Sequence, residues 1–248
     1  MKKRIDFQIS GNQKCGTNAL HNLLDQHPAV RMSSPKELHF FDAKNYRGDE
    51  SAFQTYHRDG WGLGNGGLES AFLYGESTPK YVLLGPGGEA RFLGRIQEYN
   101  PDIKHIVLFR DPVERAYSQW NMLRHNGRPV VDFETVVEVG TSAKSPQSSS
   151  FNIISRGHYG QICQNLLSLF GPERCCFIRV TDVNHQMNEV TDFLGIAPMN
   201  YETRYSYVLP YTSAMSEETR KTLRSYYGPE MVRFGELTGI DAADWIDR

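Results

Sequence analysis

Three stretches of the chain repeat one pattern, a short apolar or alternating run followed by an amphipathic one. Ile5-Asp6-Phe7-Gln8-Ile9 alternates apolar and polar residues, which predicts a strand. The polar, glycine-bearing stretch Ser10–Gly16 follows. From Thr17, Ala19, Leu20, Leu23 and Leu24 recur at helical spacing until His27-Pro28 ends the run. The second unit is His105-Ile106-Val107-Leu108-Phe109, a short buried strand. Arg110-Asp111 turns after it, and Pro112 opens a helix that runs to about His125. The third runs from Cys175-Cys176-Phe177-Ile178-Arg179-Val180 into a helix near Asn184–Leu194, closed by Gly195. Further helices are expected at about 89–99, 157–170 and 216–227. Strands that alternate with helices predict an α/β fold of three layers with a central parallel sheet. Trp61–Gly67 is too glycine-rich for regular structure, and the Ser-rich Thr141–Ser150 reads as a surface loop. Neither is long enough to be a linker and no internal repeat is evident, so residues 1–248 are expected to form a single domain.

Composition narrows this picture. A chain of 248 residues buries roughly three quarters of its unfolded surface and needs no disulfide staples. Its 27 Lys and Arg against 29 Asp and Glu give a net charge of −2. That balance excludes binding to nucleic acid or an anionic membrane through bulk charge, though not a local cationic pocket. The longest apolar runs are a few residues, too short to span a bilayer. Met1-Lys2-Lys3-Arg4 is like the start of a signal peptide, but Asp6, Gln8 and Ser10 break the apolar stretch that should follow. A soluble, cytoplasmic chain is expected. Cys15, Cys163, Cys175 and Cys176 have no metal-ligand spacing and read as reduced thiols, and the eight histidines carry no H-E-x-x-H pattern, so no metal is expected.

Three segments carry candidate chemistry. Ser10-Gly11-Asn12-Gln13-Lys14-Cys15-Gly16-Thr17 lies between a strand and a helix, where backbone N–H groups and the positive end of the helix dipole face an anion. Lys14 adds a charge and Thr17 a hydroxyl. The competing reading is an ordinary capped turn with a solvated lysine. Lys14 precedes Gly16, so the spacing departs from the nucleoside-triphosphate loop G-x-x-x-x-G-K-[ST]. In Pro35-Lys36-Glu37-Leu38-His39-Phe40-Phe41-Asp42, an extended backbone would place Glu37 and His39 on one side. A carboxylate and an imidazole there suit a general base and its partner; a half-buried strand whose Glu37 and His39 only pair with each other is the alternative. Arg110, at the carboxyl end of a strand, is placed for a bidentate phosphate contact, and Ser118 lies about 12 Å further along the following helix. Asp111 as a plain helix cap is the competing reading.

Taken together these residues resemble a known family. Gln13-Lys14-Cys15-Gly16-Thr17-Asn18-Ala19-Leu20 followed by His27-Pro28 resembles the 5′-phosphosulfate loop of sulfotransferases that use 3′-phosphoadenosine 5′-phosphosulfate (PAPS), above all the heparan-sulfate-type domain and its bacterial relatives. Glu37-Leu38-His39-Phe40-Phe41-Asp42 is similar to that family's Glu-x-His-Phe-Phe-Asp motif. Arg110-Asp111-Pro112 with Arg115 and Ser118 resembles its 3′-phosphate motif. The resemblance implies a phosphate-loop-like turn in the α/β fold. It implies that Lys14, Cys15, Gly16, Thr17, Asn18 and Ala19 hold the phosphosulfate, with Lys14 neutralising the bridging oxygen. It implies Glu37 as the base, with His39 and Asp42 orienting the substrate or supporting the site, and Arg110 and Ser118 on the 3′ phosphate. The implied reaction moves a sulfuryl group from PAPS, the co-substrate, to a hydroxyl, or second to an amine, of a carbohydrate or small-molecule acceptor.

The chain also departs from the family pattern. In Gly75-Glu76-Ser77-Thr78-Pro79-Lys80-Tyr81, Ser77 stands where heparan-sulfate enzymes have a lysine, and Lys80 is the nearest cation. Gly157-His158-Tyr159 matches a Gly-x-Tyr of the family; Tyr159 reads as packing first and as a substrate contact second. The stretch Tyr205–Met215 has no cation where the family often has Lys-Gly-Arg, and Arg204 is the candidate substitute. Acceptor contacts are expected from 43–75 and 141–156, and the near-neutral charge favours a neutral or weakly charged acceptor. Two other readings stand beside this one: an ATP-dependent small-molecule kinase with Asp111 as magnesium ligand, and a nucleotide-binding protein without catalysis.

Overall fold

The computed structural model describes residues 2–64, 67–142, 152–180, 186–202, 210–211 and 214–247. In chain order its elements are β1 (Phe7–Ile9), α1 (Thr17–Leu24), β2 (Val30–Met32), α2 (Glu50–Trp61), β3 (Leu73–Glu76), α3 (Arg91–Tyr99), β4 (Lys104–Phe109), α4 (Pro112–His125), α5 (Phe133–Thr141), α6 (Asn152–Ser155), α7 (Tyr159–Phe170), β5 (Cys175–Arg179), α8 (Met187–Leu194) and α9 (Glu217–Thr238). The chain divides into two compact units. The first comprises Met1–Leu83, Ala90–Leu108 and Leu166–Ser206; the second comprises Leu84–Glu89, Phe109–Asn165 and Tyr207–Arg248.

The first unit is built on one five-stranded sheet in the order β2-β3-β1-β4-β5. β1 runs parallel to both β3 and β4, and β2 runs parallel to β3. The alternation of β1 sorts its side chains. Phe7 and Ile9 join Leu20, Leu24, Ile106, Leu108, Ile178 and Val190 in a core that packs α1 and α8 against one face. Gln8 points to the other face, in register with Glu76 on β3 and His105 on β4. That face is polar beneath its covering of aromatic rings. His105 is fully buried, bonds Ser10 Oγ through Nδ1 at 3.2 Å and packs on Phe170. Because β1, β2 and β3 run parallel, the chain leaves all three at the same end of the sheet, as ligand-binding loops of open α/β sheets do.

The second unit is helical. Asp111 caps α4, accepting from the Val113 and Glu114 N–H groups, and Pro112 takes the first helical position. Arg115 is wholly buried and is held by Gln119 Oε1 and the carbonyl of Ile153. Ser216 caps α9 through Thr219 N, and α9 continues past Pro229. The expected end near 227 is therefore exceeded: Tyr227, Met231 and Phe234 bury one stripe across the proline, and that burial outweighs a missing hydrogen bond.

β1, β4, β5, α1, α3, α4 and α7 lie where the hydrophobic pattern places them. The pattern misses β2, β3, α2, α5 and α6. α2 explains why. Its buried residues Phe53, Tyr56, His57 and Gly60 have helical spacing, but two of the four are not apolar. Gly60 is small for a tertiary reason: a Cβ there would lie 2.6 Å from Leu38 Cδ1. The expected break at Trp61–Gly67 begins at Gly62, which ends α2 with φ 67°. The expected loop Thr141–Ser150 lies outside the described residues from 143 onward, as does the start of the helix expected at 184. Among the described residues, no helix is long and apolar enough to cross a membrane.

Candidate functional site

The loop that leaves β1 is shaped mainly by its own sequence. Ser10 N–H extends the ladder to Ile106 O at 2.8 Å, and Cys15 N–H closes a turn onto Asn12 O at 3.1 Å. Lys14 (φ 73°) and Gly16 (φ 86°) are both left-handed, and Gly16 leads directly into α1 without a side-chain cap. The N–H groups of Thr17 and Asn18 therefore lack an intrahelical acceptor, whereas the Ala19 N–H, also expected to hold the phosphosulfate, already bonds Gly16 O at 3.0 Å. Gly11 has to be glycine, since a Cβ there would lie 2.9 Å from Thr17 Cγ2 and 3.2 Å from Leu108 Cβ. Asn12 is fully buried, and among the described residues neither amide atom is hydrogen-bonded, the kind of group that a polar ligand completes. Cys15 packs its thiol into the core, and its N–H is already bonded to Asn12, so neither group is presented outward. Thr17 is buried, Ala19 half-buried and Asn18 exposed.

The loop that leaves β2 overturns one expectation. Pro35–Asp42 is not an extended strand: Glu37 (φ 63°) and His39 (φ 54°) both adopt left-handed backbone. The two side chains nevertheless meet. His39 Nε2 lies 3.5 Å from Glu37 Oε2, and His39 Nδ1 lies 3.0 Å from Asp42 Oδ1. Lys80 Nζ bonds Asp42 Oδ2 at 2.7 Å, and Lys36 Nζ bonds Glu37 Oε1 at 2.9 Å. The result is a continuous relay Lys36–Glu37–His39–Asp42–Lys80. Asp42 is its buried member (3% exposed), while Glu37 and His39 stand open to solvent at 39% and 48%. An accessible carboxylate flanked by a cation and an oriented imidazole can take up a proton from a bound hydroxyl. The expectation that Glu37 and His39 converge is met by a different backbone route. Lys36 was not singled out in the sequence, although its place beside Glu37 was the signal.

Below the relay lies an aromatic layer. Phe41 is fully buried against Tyr56, Tyr81 and Tyr99, its N–H faces Tyr81 Oη at 3.4 Å, and its carbonyl accepts from Arg95 at 2.6 Å. Ser77, at the position of the family's lysine, is buried, and its hydroxyl has no hydrogen-bond partner among the described residues. At the end of α2, a cavity of about 400 Å³ is lined by Trp61, Phe72, Tyr74, Arg31, Glu69 and Ser34 among others. Ser34 is tied to it by its N–H bond to Gly60 O at 2.7 Å.

In the second unit, Arg110 directly follows β4 and is half-buried, while Ser118 is 8% exposed on α4. Asp111 Oδ1 is occupied as the α4 cap, at 2.8 Å from Val113 N. Tyr159 is 0% exposed, packs against Phe109, Phe234 and Trp245, and donates its hydroxyl to Arg110 O at 2.8 Å. This is the packing reading, and a residue so enclosed supports Arg110 rather than touching a substrate. Arg204 and most of Tyr205–Met215 lie outside the described residues.

No family model matches the chain. It is 23% identical over 303 residues to carbohydrate sulfotransferase 15 of Mus musculus, covering 96% of this chain and 54% of that protein. It is 27% identical over 261 residues to heparan sulfate glucosamine 3-O-sulfotransferase 3A1 of Mus musculus, covering 94% of this chain and 62% of that protein. The chain thus spans between half and two thirds of the length of these relatives. Among solved structures, a sulfotransferase from Alicyclobacillus acidocaldarius aligns with a TM-score of 0.78 at 22% identity, over 98% of this chain and 99% of that one. The chain resembles the carbohydrate and heparan sulfate sulfotransferases along nearly its whole length and has the fold of a bacterial sulfotransferase.

Proposed function

We propose that this protein transfers a sulfuryl group from PAPS to a hydroxyl of a carbohydrate or small-molecule acceptor, with an amine as the second choice. The observation that carries the reading is the relay through Glu37, His39 and Asp42, on a loop that leaves the same end of the sheet as the Ser10–Thr17 loop. The acceptor oxygen attacks sulfur, the bond from sulfur to the bridging oxygen breaks, and 3′,5′-adenosine bisphosphate departs. Glu37 takes the acceptor's proton. Lys14 and the N–H groups at the start of α1 neutralise charge on the leaving phosphate, which is stabilisation by fixed charges and dipoles. The close approach at Gly11 and the Asn12 amide, unbonded among the described residues, support a phosphosulfate at this loop. By resemblance, Arg110 and Ser118 take the 3′ phosphate. The cavity beside Trp61 mixes rings with polar groups and begins three residues before Glu37, which supports a sugar-sized acceptor. The kinase alternative asks Asp111 to ligate magnesium, whereas Asp111 Oδ1 caps α4.

Thermal unfolding with 3′,5′-adenosine bisphosphate, and separately with ATP and magnesium, tests the donor. Stabilisation by the first is expected, and stabilisation by ATP and magnesium alone would sink the proposal. Transfer of radiolabel from [35S]PAPS to a panel of saccharides and phenols tests the reaction. Glu37→Gln should lower that transfer about 10²–10⁴-fold and retain binding of the bisphosphate; unchanged transfer would remove Glu37 from the role of base.

A further inference from the structure

Glu76 ends β3 and is 0% exposed, yet it carries a carboxylate. Three hydroxyls converge on it: Tyr56 Oη from α2 donates to Oε2 at 2.5 Å, and Thr78 Oγ1 and Tyr81 Oη donate to Oε1 at 2.5 and 3.0 Å. The N–H of Leu38, between Glu37 and His39, also faces this carboxylate and favours its charged form. Burial pushes the Glu76 pKa up, and these donors pull it back. A buried carboxylate is costly to keep and stays only where its hydrogen bonds are made.

Two of these partners, Tyr81 and Tyr56, reach the relay loop as well. Tyr81 Oη, which donates to Glu76, faces the Phe41 N–H at 3.4 Å. The Tyr56 ring stacks on Phe40 with centroids 4.5 Å apart. Lys80, beside Tyr81 in the same short 3-10 turn, bonds Asp42. The loop is thus held at Leu38, at Phe40 and Phe41, and at Asp42, on both sides of His39 and directly after Glu37. Left-handed backbone is strained at a residue with a side chain, so Glu37 and His39 keep theirs only while the surroundings enforce it.

We infer that Glu76 is a positioning residue: through Tyr56, Tyr81 and the Leu38 amide it fixes the bend that aims Glu37 and His39 at the acceptor. This rests on the reading of Glu37 as base. It also accounts for a carboxylate among aromatic rings, since one group with two oxygens gathers donors from α2, from the 77–81 segment and from the relay loop at once.

Turnover of [35S]PAPS tests the inference, with a desulfated glucosamine–uronic acid oligosaccharide as acceptor, or water where the saccharide is refused. Glu76→Gln and Tyr81→Phe should each lower kcat about 10- to 100-fold, the scale of a slightly misplaced catalytic group. KM for PAPS and the Kd of 3′,5′-adenosine bisphosphate should stay within about twofold. Tyr99→Phe is the control. It removes an equally buried hydroxyl of the same layer, one that bonds Ile5 N and His57 instead of the relay loop. It should lower Tm as Tyr81→Phe does and leave kcat within about twofold. If Glu76→Gln does not fold, the pair Tyr81→Phe and Tyr99→Phe decides alone. Equal kcat for those two variants overturns the inference and leaves the base reading intact, provided Glu37→Gln lowers turnover. Full kcat in Glu37→Gln, or no PAPS turnover by the unmutated protein, overturns the base reading and the inference with it.

Discussion

Two loops leave the same end of the sheet, and both use left-handed backbone at residues that are not glycine. They are held in place by different means. The loop after β1 closes on itself, Cys15 N–H to Asn12 O, and feeds straight into α1. The loop after β2 has short-range ion pairs at its tip, but its backbone is gripped from afar. Tyr81 faces Phe41 N from 40 residues away, and Arg95 holds Phe41 O from 54 residues away. An anion cradle needs donors that a short peptide can present by itself. A proton acceptor needs its carboxylate set at one spot relative to a bound substrate, and here that setting is imposed by packing. The first loop should therefore tolerate damage to the aromatic layer, and the second should not.

The largest effect should separate the loops by chemistry. Glu37→Gln is expected to lower PAPS turnover by about 10²–10⁴-fold, the range for losing a general base, with bisphosphate affinity kept. Lys14→Ala is expected to lower turnover by about 10²–10³-fold, as for a lost charge stabiliser, and to weaken bisphosphate binding as well. Isothermal titration alongside single-turnover kinetics checks both. If Lys14→Ala left affinity and rate unchanged, the β1 loop would not be an anion cradle.

Acid should weaken the first region first. Burial lowers the pKa of His105, next to Ser10, to about 3, and that of His21, in α1, to about 4. Both lie below the ordinary histidine value near 6.5, so both rings are neutral in the fold and take up protons on unfolding. Their contribution is complete above about pH 6.5 and is lost as pH falls toward 4 and then 3, at roughly 1.4 kcal/mol per pH unit for each histidine. Chemical denaturation at pH 7 and pH 5 should show this loss, and His105→Gln should flatten it. An unchanged slope in that variant would assign the acid sensitivity to other groups. The smallest effect tests local control of the first loop. Gly16→Ala, at φ 86°, should cost roughly 1–2 kcal/mol, seen as a lower Tm. No change in Tm would mean that the turn relaxes.

Much of the fold could be read along the chain. The alternation of Ile5–Ile9, the apolar run before Arg110 and the Asp111-Pro112 start of α4 all appear where expected, because strand and cap signals act over a few residues. β2 and β3 could not be read in the same way. They are three and four residues long and carry Arg31, Gly75 and Glu76, which become strand residues by pairing with β1 and with each other. Gly75 is small because a Cβ there would press within 2.2 Å of the Phe7 ring. In the candidate site, the motifs named Glu37, His39, Asp42 and Lys80, but an extended backbone was the wrong route to their meeting. Glu76 stood inside a recognised motif with no sign that it would lie at the centre of a hydrogen-bonded cluster.

By itself the sequence determined the alternating α/β plan, the glycine loop before α1 and the residue types of the relay, because short-range propensity and spacing encode these. Only the tertiary structure decided that Glu37 and His39 meet through two left-handed residues, that Tyr159 is buried beneath Arg110, and that Glu76 joins α2, β3 and the relay loop. Those outcomes depend on residues tens of positions apart sharing one buried carboxylate or one aromatic layer, and a local pattern has no means of recording that.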